Sequence, residues 1–152
     1  VLDTYKAERA TIDQHAEYIK KHRLARAEAT FCDPAGRNKN DQTGRSDVDE
    51  FERAGIPCRY TTAARWHEVA NGIQLVRSLL NPNKPQIYVI RNEGNRAFIA
   101  DIESYANRKV NGIYIDDPIK PQPADHTMDG LRYFCVNRMA GYSAGIVKLG
   151  AA

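Results

Sequence analysis

Short apolar runs alternate with stripes of apolar residues at helical spacing, and this alternation most restricts the folds open to the chain. The clearest stripe is Trp66, Val69, Ile73, Val76 and Leu80, spaced 3, 4, 3 and 4 apart, which is one helix face packed on a core. A second follows Thr11, a residue type suited to an N-cap, with Ile12, Ala16 and Ile19 on one face and an end near residues 22–24. Phe98, Ile99, Ile102 and Tyr105 mark a third, and Met128, Leu131 and Cys135 a fourth. A shorter helix carrying Val48 and Phe51 is expected between a cap at Ser46 or Asp47 and Gly55, a good residue just past a helix end. Strand-like runs lie between them: VLDTYK at 1–6, ATFC at 29–32, then 56–61, 87–90, and 113–115 after the turn pair Asn111-Gly112. The order predicts an α/β domain with a largely parallel sheet over residues 1–140, followed by a tail at 141–152.

A chain of 152 residues is long enough for one domain with its own core. Its formal charge of +3 is too small to establish a nucleic-acid partner, so the positions of the basic residues matter more than their number. Cys32, Cys58 and Cys135 are odd in number, far apart and mostly within apolar runs, and no C-x-x-C spacing occurs. They read as buried free thiols of a reducing compartment, not as a disulfide framework or a zinc site. No apolar run approaches the ~20 residues of a membrane span, and no signal-peptide pattern is present. The first residues, from Val1, are strand-like and carry no initiator Met, so the chain reads as a piece of something longer.

Two acidic positions stand out. In largely parallel sheets, sites form beyond the carboxyl ends of the strands. Asp33 lies there, directly after ATFC, and opens the turn DPAG. The stretch ADHTMDGLRY, residues 124–133, follows a loop with Pro118, Pro121 and Pro123 and opens the last helical stripe. Asp125 and Asp129, four apart, then share a helix face. Paired carboxylates repel unless a cation lies between them, and a divalent metal ion is one answer. The other reading makes Asp125 an N-cap and Asp129 a first-turn acid favoured by the helix dipole. Arg37, Lys39 and Arg45, in the polar loop after Asp33, could track a DNA backbone or be solvated loop charges. Lys120 could contact phosphate or steady the carboxylates, or equally be a solvated loop lysine. Arg132 and Arg138 read as surface charges, and His15 and His22 as residues on the solvent side of the first helix.

In order, DPAG, a polar loop, SDVDEFERAGIPC, NGIQLVRSLL and PIKPQPADHTMDGLRY resemble the nuclease domain of the large terminase subunit of tailed bacteriophages. The likeness runs from about residue 4 to 133, and its most specific part is DHTMDGLRY. The resemblance implies an RNase H-like fold, a mixed sheet flanked by helices, related to RuvC-type resolvases and retroviral-type integrases. It further implies a two-metal-ion endonuclease using Mg²⁺ or Mn²⁺ to cut concatemeric double-stranded DNA during genome packaging, in the cytoplasm of a bacterial host. By position Asp33 matches an acidic metal ligand, Asp129 another, and Asp125 and His126 flanking positions that help form the site. The implied partners are DNA, an ATPase domain of the same protein, the small terminase and the portal, with no membrane. No G-x-x-x-x-G-K-[ST] string occurs, so this chain is not the motor.

One departure bears on activity. The family's first metal-binding Asp lies on a strand upstream of the part that VLDTYK resembles, so that ligand and the first two strands are expected outside this chain. Asp3 is the one substitute at hand, in a context that fits a solvent-facing strand residue better. Other RNase H-like nucleases, of resolvase or transposase type, and a non-catalytic DNA-binding or assembly piece are the competing readings.

Overall fold

The structure, a computed structural model, describes residues 1–22, 29–66, 68–118 and 124–139. It is a mixed helix and strand fold whose chain divides into two compact units. Among the described residues, those of 1–6 and 64–136 make up one; those of 7–63 and 137–139 make up the other.

In the second unit, α1 (Ile12–Lys21) begins where the sequence places it. Thr11 accepts from the Gln14 backbone N–H while the Gln14 side chain accepts from Thr11, so two donors with no partner inside the helix are satisfied at once. Ser46 and Asp49 make the same reciprocal box ahead of α2 (Asp47–Arg53), which settles the cap on Ser46. Two short strands, β1 (Thr30–Phe31) and β2 (Cys58–Arg59), run parallel, with Thr30 opposite Cys58 and Phe31 opposite Arg59. The ladder's direction continues one step as Cys32 donates from its backbone N–H to the Arg59 carbonyl at 3.0 Å. Among the described residues of this unit, Ala16, Val48 and Ile56 are the buried apolar ones.

The first unit is built on α3 (Val69–Leu79), α4 (Arg96–Ser104) and α5 (Asp125–Met139), with an antiparallel hairpin of β3 (Asn107–Val110) and β4 (Ile113–Pro118). The hairpin turn uses positive φ at both central residues, Asn111 at 49° and Gly112 at 82°, the pairing that matches the twist of the flanking strands. Leu79, Phe98, Leu131 and Cys135 form the core, each no more than 7% exposed, with Val76, Ile102 and Met128 packed around them. Burial of side chains this size contributes about 1.5–3 kcal/mol each.

Three expectations are corrected. The helical stripe 66–80 is not one helix: Trp66 ends a separate 3-10 turn, Ala64–Trp66, and the α-helix starts at Val69. A single, largely parallel sheet is not found among the described residues; they hold one parallel and one antiparallel pair. Residues 87–90 form no regular strand. Their backbone groups bond to Val1, whose terminal ammonium donates to the Tyr88 carbonyl and whose carbonyl accepts from Ile90 N–H at 3.0 Å, while Ile87 N–H donates to the Leu79 carbonyl and the Ile90 carbonyl accepts from Asn95 Nδ2. The period of two survives without the ladder: Ile87 and Val89 pack against the core, while Tyr88 is 70% and Ile90 49% exposed.

Candidate functional site

The start of α5 carries the densest chemistry in the first unit. Ala124 occupies the cap position, its carbonyl accepting from Met128 N–H at 3.0 Å, so Asp125 is the first helical residue and not the cap. Its carboxylate still suits the position, because negative charge is favoured in the first helical turn. Asp125 and Asp129, one turn apart, share a face. His126 is exposed. Thr127 donates its hydroxyl to Asp101 Oδ2, and Lys6 reaches the same oxygen at 3.7 Å, which ties the helix start to α4 and to the first residues of the chain.

Asp129 lines a cavity of about 530 Å³ whose walls are apolar side chains of α3, α4 and α5, among them Val76, Ile102 and Met128. The same wall holds Arg77, Tyr105 and Arg132. Arg132 is not the surface charge its sequence context suggests: its side chain is 8% exposed. It donates through Nε and Nη2 to Asp129 Oδ1 at 3.3 and 3.0 Å. Burial alone would lower its pKa, but the hydrogen bond to Asp129 and the nearby negative charges raise it, so the guanidinium is a fixed cation. Gly72 makes room for it. A Cβ at residue 72 would stand 2.7 Å from both Cγ and Cδ of Arg132, so only glycine lets the arginine stem lie against α3. Tyr105 has its pKa raised by burial and then by the charges of Asp129 and Asp125, which keeps its hydroxyl protonated beside the acidic pair.

The second unit holds the other acidic candidate. Asp33 follows β1 by one residue and caps the 3-10 turn Pro34–Arg37, its Oδ1 accepting from Ala35 N–H at 2.8 Å. Arg37 lies over the Tyr60 ring at 5.6 Å, and Arg45 pairs with Glu50 at 3.3 Å. Lys39 makes an isolated backbone bridge with Ser46 and is exposed. Asp33 thus shares its unit with Arg37, Lys39 and Arg45, while Asp125, His126 and Asp129 belong to the other. Lys120 lies outside the described residues. Asp3 is half-buried, contrary to its solvent-facing expectation: its Oδ1 accepts from Thr4 N–H at 2.9 Å, and a Cβ at Gly94 would come within 2.0 Å of that oxygen.

Two-ion hydrolysis draws on several acidic ligands around a pair of ions about 3.5–4 Å apart. The described residues do not fit that requirement. No group of three or more His, Cys, Asp or Glu side chains able to hold a metal occurs among them. Within the α5 pair, Asp129 already has a cation in Arg132. Asp101 and Gly72 contribute to this site without having been singled out from the sequence, and Tyr105 was read only as part of a helix face. Arg132 could have been suspected, since an Asp and an Arg three apart on a helix face each other.

No family model matches the chain, and neither does any curated protein or solved structure. Among the described residues, no helix is long and apolar enough to cross a membrane.

Proposed function

We propose that the chain is a nuclease unit of the RNase H-like class, acting on double-stranded DNA in the manner of a phage large terminase. The observation that carries the reading is the pair Asp125 and Asp129 on one face of α5, with Asp129 at the wall of a cavity, inside the motif DHTMDGLRY. Asp33, just beyond the carboxyl end of a strand in a parallel pair, adds to it, because α/β sites gather at that end. Asp33, Asp125 and Asp129 are the proposed acidic residues, His126 a residue that orients water or ligand, and Arg37, Lys39, Arg45 and Lys120 the DNA-contacting cations. Mg²⁺ or Mn²⁺ is the proposed cofactor. Because the described donors do not complete a site for it, no step is assigned to the ion. The ATPase domain, small terminase and portal as partners, and the cytoplasm of a bacterial host as location, belong to the same proposal.

The test is nicking of supercoiled plasmid with Mn²⁺ by the chain extended upstream to restore the first two strands, and by its Asp33→Asn and Asp129→Asn variants, with circular dichroism to show that each is folded. Loss of nicking in both variants supports the assignment; variants that cut as well as the parent end it. A second reading, a DNA-binding or assembly piece that does not cut, is favoured by the Asp129–Arg132 ion pair. Salt-sensitive DNA binding with no Mn²⁺ heat in calorimetry and no nicking would select it.

A further inference from the structure

Cys32 and Cys58 lie far apart in the sequence, yet the parallel pairing of β1 and β2 brings them together. Cys58 stands opposite Thr30, and side chains two apart on a strand point to one face, so Cys32 and Cys58 share a face of the ladder on adjacent strands. Cys32 is held in that direction by its own backbone bond to the Arg59 carbonyl. The thiols are in hydrogen-bond contact with each other, and Cys58 Sγ also lies 3.6 Å from the Ile56 carbonyl. Both are half-buried, unlike Cys135 at 1% exposure.

We propose that Cys32 and Cys58 form a dithiol site for reversible oxidation by hydrogen peroxide, closing to an intramolecular disulfide one residue before Asp33. Cys58 is the attacking sulfur. Its pKa is lowered by the hydrogen bond from Cys32, against the opposing effects of burial and of Glu52. The Cys58 thiolate attacks a peroxide oxygen, forming an S–O bond as the O–O bond breaks; hydroxide leaves and takes a proton to become water. The Cys32 sulfur, losing its proton, then attacks the Cys58 sulfenic sulfur. The S–S bond forms, the S–O bond breaks, and a second water departs. Two thiols and one peroxide give one disulfide and two waters, and a dithiol reductant reverses the change. Closure brings the sulfurs to about 2.05 Å, and because Cys32 lies two residues beyond the position opposite Cys58, the two strands draw together as the bond forms. The bond would tie β1 to β2 immediately ahead of the turn capped by Asp33.

Intact mass and peptide mapping of the whole chain after brief peroxide treatment test this. The expected result is loss of two hydrogens, a Cys32–Cys58 crosslinked peptide, Cys135 still free, and full reversal by dithiothreitol. Cys32→Ala is expected to stop at sulfenic acid on Cys58, trapped as a dimedone adduct. Oxygen addition at Cys58 in the parent without a crosslink, a crosslink that engages Cys135, or no dimedone adduct in a folded Cys32→Ala chain would overturn the proposal.

Discussion

Arg132 directs both Nε and Nη2 at a single oxygen of Asp129, three residues earlier on the same helix. The two partners differ in exposure, 8% for the arginine side chain and 26% for the aspartate. That asymmetry decides what each deletion costs. An Asp129 left alone can still draw on water, whereas an Arg132 left alone is a buried cation that cannot shed its proton.

Asp129→Asn should therefore destabilise the chain more than Arg132→Met, whose apolar stem refills much of the space. The expected costs are on the order of 3 kcal/mol and 1–2 kcal/mol. Urea midpoints, with the double variant to complete the cycle, measure both. Equal losses would mean that the pair behaves as an exposed surface bridge.

Gly72→Ala sets helix propensity against packing. Inside a helix, alanine is better than glycine by about 1 kcal/mol, but the new methyl meets Arg132 Cγ and Cδ at 2.7 Å. The clash should win by about 1 kcal/mol in the parent and vanish with Arg132→Ala, where Gly72→Ala turns stabilising. Thermal melts of the four chains give the sign in each background.

The box of Ser46 and Asp49 predicts a pH dependence. Hydrogen bonds from the Ser46 backbone and side chain, with Lys39 and Arg45 nearby, hold the Asp49 carboxyl below its ordinary range. A folded pKa below the unfolded one gives stability that is present above the unfolded value and is lost as pH falls through the folded one. Asp49→Asn should flatten the acid limb of the stability curve. Ser46→Ala should cost about 1 kcal/mol at neutral pH. Denaturant midpoints between neutral pH and the carboxylate range test the pair.

DNA affinity should separate the loop cations. Lys39→Ala is expected to lower the slope of log affinity against log salt by about 1, the signature of one phosphate contact. Arg45, already paired with Glu50, should change it less. Fluorescence anisotropy on one duplex across a salt series measures both; indistinguishable slopes would remove Lys39 from the interface.

The sequence by itself determined the local elements: α1 with its cap, the body of α2 and of α3, α4, the Asn111-Gly112 hairpin and the existence of α5, leaving the α2 cap open between Ser46 and Asp47 and the α5 cap to the structure. These depend on period, cap chemistry and turn residues, all carried by neighbours a few positions apart. Only the tertiary structure decided which charges are buried and what they meet. Arg132 is an ordinary helix-face arginine until Gly72 and the α3 wall close over it. Residues 87–90 keep strand alternation but find no neighbouring strand among the described residues, bonding instead to Val1, Leu79 and Asn95. Cys32 and Cys58 meet because β1 and β2 run parallel, a fact of strand pairing that no local pattern encodes. The acidic candidates illustrate the same division. Asp33, Asp125 and Asp129 are legible as residues beside a strand end and a helix start, and Arg132 is within local reach of Asp129, while the burial of that pair against Gly72 is supplied by the folded chain.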